Sequence, residues 1–135
     1  MKNYQLKLHI NETVTPVQSK PRYIPFHLRE QVDQDIQNKI NQGIMEEVHN
    51  KPTTWLSELV IIPKKDTNKL RLCIDMKLPN KAILSEKHEM PNIESIIQEA
   101  NGMSIFTKLD LKEAFQQIEL HEDSRYISCF RTHKG

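Results

Sequence analysis

Glycine is scarce in this chain, at 3 of 135 residues. So few argue against a flexible protein, and no Gly-rich phosphate loop can be assembled from them. Cysteine is limited to Cys73 and Cys129, each alone in an apolar run. With no C-x-x-C pair and no Cys/His cluster, neither a zinc site nor a disulfide framework is expected, and both thiols read as reduced and buried. The six histidines show no ligand spacing, and no Ser-His-Asp order can be put together. No apolar run approaches the ~20 residues a membrane span needs. The N-terminus MKNYQLKLHINE lacks the apolar core of a signal peptide. A soluble, intracellular chain, cytoplasmic or nuclear and without a membrane partner, is the expectation. An excess of charge is lacking too: 19 basic and 18 acidic residues leave +1, which alone predicts no affinity for nucleic acid.

What is present is a sequence of short, punctuated segments. YQLKLHI, residues 4–10, alternates apolar and polar positions as a half-buried strand does. NETVTPVQSKPRYIP reads as an extended arm, because each proline biases its predecessor away from helix. Leu28, Val32, Ile36 and Ile40 recur at every fourth position and predict an amphipathic helix over 26–42, ended by Gly43. IMEEVHNKPTTW reads as a loop, with Trp55 as a packing anchor at its end. LSELVIIP and KLRLCID predict two strands joined by KKDTNK. KLPNKAIL is irregular or extended, and PNIESIIQEANG has the start and stop signals of a short helix. SIFTKLDL and YISCF read as further strands, with a helical turn at KEAFQQ. The order is mixed, with hairpins and no regular β-α-β alternation, so the fold class expected is α+β. Nothing in the final FRTHKG closes a sheet, and the chain reads as cut rather than finished.

Two stretches could carry chemistry. In SIFTKLDL the period of two places Ile105, Thr107, Leu109 and Leu111 on one face and Phe106, Lys108 and Asp110 on the other. A carboxylate at a strand end suits a divalent cation such as Mg²⁺, held by few carboxylates plus substrate phosphates. Asp110 and Glu113 also have the spacing of a capping box, so a purely structural role stays open. The second stretch is the hairpin. Residues 63–81 hold six basic residues, Lys64, Lys65, Lys69, Arg71, Lys77 and Lys81, against Asp66 and Asp75. Lys64 and Arg71 flank the turn, where a point charge and a forked donor could face one phosphate. A hairpin tip that is merely solvated is the plain alternative.

In combination these pieces resemble a known family. The run from GIMEEVHNKPTTW through RTHKG is similar to the front half of a reverse transcriptase, of the kind in gypsy-class long-terminal-repeat retrotransposons. The likeness covers about Pro16 to Gly135 and rests on several motifs in order. It implies that Lys64 and Arg71, from the Lys-Lys-Asp and Arg motif, hold the triphosphate of an incoming deoxynucleotide. Phe106 through Leu111 match Phe-x-Lys-Leu-Asp-Leu, which implies Asp110 as the first catalytic carboxylate and the Leu111 carbonyl as a neighbouring metal ligand. Phe115 matches the aromatic gate against a ribose 2′-OH, with Ala114 just before it. The implied cofactor is Mg²⁺, and the implied partners are an RNA or DNA template-primer and a deoxynucleoside triphosphate.

The resemblance implies a right-hand polymerase fold, with residues 1–25 as an N-terminal strand and arm and 26–135 as fingers and the first part of a palm. Glu58 stands where relatives usually have proline, Met76-Lys77 where Tyr-Arg or Met-Arg is common, and Glu113 where many have Asp, Ser or another small residue. The Tyr-x-Asp-Asp turn that carries the family's other metal-binding carboxylates does not occur. One carboxylate cannot hold two metals, so this chain alone is not expected to polymerise DNA. A non-catalytic nucleic-acid or nucleotide-binding module, or an inactive relic, are the alternatives.

Overall fold

The structure, a computed structural model, describes residues 4–49, 51–64 and 69–135. The longest element is helix α1, Phe26–Asn41. Its apolar stripe does what the spacing of four requires: Val32 is fully buried, and Leu28 and Ile36 pack beside it. Gly43 stops the helix at φ 70°, a conformation that costs glycine little, with its N–H donating to the Ile40 carbonyl. A short β1, Gln5–Leu6, precedes it. Between them the prolyl arm runs without regular structure, held by an isolated bridge from Gln18 to Leu56.

Strands β2, Ser57–Pro63, and β3, Leu70–Ile74, form the antiparallel hairpin that their β-branched composition predicts. The register runs from Leu59 opposite Ile74 to Pro63 opposite Leu70, and the Lys64 N–H donates to the Lys69 carbonyl at 2.9 Å. Glu58, which replaces the family's usual proline, fits this strand: its carbonyl accepts from the Asp75 N–H, and its carboxylate meets Arg22 at 3.0 Å. Two further strands complete the sheets. β4, Glu119–Leu120, lies parallel to β1, and β5, Phe130–Arg131, lies parallel to β2, giving the order β3-β2-β5.

Two small cores hold these elements together. One centres on Ile24, Val32 and Leu59, with Leu70, Leu72 and Phe130 packed around them. The other centres on Trp55, Ala82 and Ile127, with Leu8, Ile10, Val14 and Leu78. Trp55 is 2% exposed, the anchor its position suggested. A fully buried side chain of this kind is worth roughly 1.5–3 kcal/mol in area removed from water.

Several expectations need correction. SIFTKLDL is not a strand: residues 104–111 have no regular structure and, among the described residues, make no backbone–backbone hydrogen bond. A strand exists only where an edge receives its N–H and C=O groups, and this segment pairs with neither sheet. The capping box does not form either. No helix begins after Asp110; a 3₁₀ turn, Ala114–Gln117, starts instead from Glu113 in the left-handed region at φ 50°, without a side-chain cap. YISCF is mostly a 3₁₀ turn, Tyr126–Ser128, and only Phe130–Arg131 pairs. It follows a four-residue helix, Glu122–Arg125, which the periodicity missed because it is too short to show any. YQLKLHI pairs over two residues only, apart from a bridge between Ile10 and Ile83. The thiols of Cys73 and Cys129 are free, as expected, but half-buried rather than buried. The short helix after Pro91, Ile93–Glu99, forms as its signals predict, capped by the Asn92 side chain on the Ser95 N–H at 2.7 Å.

Candidate functional site

The hairpin and α1 enclose a groove of about 850 Å³. That is within the ~300–1,000 Å³ usual for small-molecule sites. Its walls come from three parts of the chain: Gln31, Asp35 and Lys39 of α1; Lys64, Lys69 and Leu70–Cys73 of the hairpin; and Glu113, Phe115 and Gln116 of the 3₁₀ turn. Four cations, Lys39, Lys64, Lys69 and Arg71, thus face two carboxylates, Asp35 and Glu113. None of the four forms an ion pair among the described residues. A concavity carrying unneutralised positive charge raises the local concentration of anions.

The strands set this geometry. Arg71 pairs with Ile62 in the ladder and projects from the exposed side of β3, while Leu70 and Leu72 to either side pack on the core. Lys64 sits where the hairpin closes, one residue beyond β2. The structure therefore brings Lys64 and Arg71 to one groove, together with Phe115. Lys65 and Asp66 of the same motif lie outside the described residues.

Phe115 is 94% exposed at the rim, where it presents an aromatic face. The backbone that presents it is strained. A non-glycine residue at φ 50° costs roughly 1–2 kcal/mol, and Glu113 carries that cost two residues before Phe115. Ala114 beside it is half-buried and does not line the groove. Asp110 and Leu111 are exposed, with Leu111 at 65%, and neither lines the groove. The site residues expected from the motifs thus fall into two sets: Lys64, Arg71 and Phe115 share one concavity, and Asp110, Leu111 and Ala114 do not join it.

A metal centre is not assembled here. Among the described residues no group of three His, Cys, Asp or Glu side chains could hold a metal ion. Asp110 and its neighbouring carbonyl would be only part of a Mg²⁺ site, whose six near-octahedral oxygens come largely from water and substrate phosphates.

Sequence reading missed the α1 wall. Gln31, Asp35 and Lys39 each stand one residue before Val32, Ile36 and Ile40, so they form a polar stripe flanking the apolar one. Reading both flanks of the stripe would have found them.

Comparison with known proteins supplies the context. The profile of a family described as reverse transcriptase (RNA-dependent DNA polymerase) matches residues 62–135. The chain is 35% identical over 136 residues to a retrovirus-related Pol polyprotein from transposon 412 of Drosophila melanogaster, covering 97% of this chain and 10% of that protein. It is 30% identical over 137 residues to the enzymatic polyprotein of Cestrum yellow leaf curling virus, covering 96% of this chain and 21% of that one. The chain spans about a tenth to a fifth of the length of these relatives. Among solved structures, a prototype foamy virus protease-reverse transcriptase superposes with a TM-score of 0.70 at 17% identity, over 98% of this chain and 17% of that one. A second foamy viral protease-reverse transcriptase, solved in complex with double-stranded DNA, superposes at 0.64 over 93% of this chain and 23% of its own.

Proposed function

Since the chain belongs to the reverse transcriptase (RNA-dependent DNA polymerase) family, we propose that it supplies the nucleotide-binding half of a template-directed DNA polymerase. The observation that carries this reading is the convergence of Lys64, Arg71 and Phe115 on one basic groove. Phosphoryl transfer is mostly positioning plus charge neutralisation. Lys64 and Arg71 would take the triphosphate of a deoxynucleotide, the Arg by its forked donors and the Lys as a point charge. Phe115, with Ala114 beside it, would stand under the sugar, where a 2′-OH collides with the ring. Residues 26–135 would be the fingers and the first part of a palm, and residues 1–25 the strand and arm leading into them.

Asp110 would be the first catalytic carboxylate, and with the Leu111 carbonyl it would give two of the oxygens for a Mg²⁺. Bound Mg²⁺ stabilises the attacking and leaving oxygens of the transfer. The remaining ligands cannot come from a Tyr-x-Asp-Asp turn in this sequence, which has none. The 135 residues by themselves would therefore not be expected to extend a primer.

The test joins the chain to a palm segment that carries a Tyr-x-Asp-Asp turn. Mg²⁺-dependent primer extension on an RNA template is expected, and Asp110→Asn should abolish it. Extension that survives this substitution defeats the assignment of Asp110. The groove's cations, none of them ion-paired among the described residues, also favour a second reading, a binding module without catalysis. It predicts salt-sensitive, sequence-independent nucleic-acid binding that Asp110→Asn leaves intact.

A further inference from the structure

Helix α1 has no part in the roles assigned so far, yet it forms a wall of the groove. Gln31, Asp35 and Lys39 are spaced by four, so they share one helix face, and all three line the same concavity as Lys64, Lys69 and Arg71. Lys39 is half-buried and lies in the last turn of the helix. A cation there is favoured by the helix dipole, but Lys39 meets no carboxylate among the described residues. Cations do find partners elsewhere in the chain: Arg22 meets Glu58, Arg125 bridges Glu46 and Glu119, and Lys134 meets Asp33 on α1 itself. Four cations on one concavity, none ion-paired among the described residues, repel each other, and an anion with several charges relieves that repulsion.

We propose that Lys39 is a phosphate-binding residue of this groove, contributed by α1, so that a polyphosphate is held from two walls rather than by the hairpin alone. Asp35, one turn before it on the same face, opposes the anion and sets an upper limit on its affinity. The inference rests on the nucleotide reading above and extends it to residues outside the motifs of the hairpin and the Asp110 segment. The ligand chemistry is that of a triphosphate, whether free or carried by a nucleoside.

Calorimetric titration of the full chain at low salt tests this, with deoxythymidine triphosphate and inorganic triphosphate as separate probes. Lys39→Gln should weaken both about fivefold, the scale of one partly exposed charge contact. Lys39→Arg should restore wild-type affinity, and Asp35→Asn should tighten binding about twofold, an effect that a merely structural role for the α1 face would not produce. Circular-dichroism melting confirms that each variant is folded. Wild-type affinity in Lys39→Gln, with binding lost in Lys64→Gln and Arg71→Gln, overturns the role of Lys39 and leaves the nucleotide reading standing. Absence of saturable binding by the wild-type chain overturns both.

Discussion

Residues 4–83 and 118–135 behave differently from residues 84–117. The first two stretches supply every side chain of both cores. The intervening segment supplies none, and leaves Met90, Ile93, Ile97, Ile105, Phe106, Leu109 and Leu111 each more than 60% exposed. The contrast is not one of composition, since 13 of the segment's 34 residues are apolar, close to the 37% of the whole chain. What differs is partnership. β2 has a neighbour on each side, whereas residues 104–111 have none. The proposed site straddles this divide, with Lys64 and Arg71 on the packed scaffold and Asp110, Leu111, Ala114 and Phe115 in the exposed segment.

The sharpest way to break the comparison is a pair of truncations. Trp55→Ala should cost about 3–5 kcal/mol in urea unfolding, by removing the anchor of the second core. Leu109→Ala, at 86% exposure, should change stability by less than about 0.5 kcal/mol. Comparable losses from the two would mean that the segment packs. Hydrogen exchange sharpens the same contrast by element: amides of β2 and β3 should be protected, while those of 104–111 exchange near the unfolded rate. Protection confined to the latter would reveal a partner for the strand pattern.

Smaller effects separate the surface of the scaffold from its interior. Arg22→Ala removes the ion pair to Glu58 and should cost no more than about 1 kcal/mol, because the arginine is half exposed and the pair is screened. A double-mutant cycle with Glu58→Ala measures the coupling. The smallest effect concerns Asp123, where a hydrogen bond from Lys7 at 2.8 Å, the charge of Lys7 and that of His121 hold the carboxyl below its ordinary value of 3.8. A depressed carboxyl stabilises the fold above its unfolded value, and that contribution disappears as pH falls through the folded one. Acid titration of wild type against Lys7→Ala should show the difference shrinking below pH 3.8.

What was legible in the sequence follows from how local each signal is. Helix α1, the hairpin and the Asn92-started helix were readable because periodicity, turn residues and caps act within a few positions. The strand reading of 104–111 failed for a physical reason: alternation shows that a segment suits a pleated, half-buried surface, but not that a surface is there to receive it. The parallel pairings β1 with β4 and β2 with β5 left no trace, since two-residue ladders between distant segments have no pattern of their own. Of the residues that share the groove, Lys64 and Arg71 were singled out by the positive charge gathered on the hairpin as well as by motif order, and Phe115 by motif order alone. Lys39 escaped because the helix was read for its apolar stripe alone.

The parallel pairing of β5 with β2 also bears on how the protein is made. Ser57 pairs with Phe130, and each core needs a residue from this late stretch, Phe130 for one and Ile127 for the other. A chain emerging from the ribosome N-terminus first has its helix and hairpin available early, but neither core can close until residues 127–131 have left the exit tunnel. During that interval the apolar faces of α1 and β2 are uncovered. The packing of both cores is therefore completed only once residues 127–131 are available, and a nascent chain halted before them should depend on a holdase.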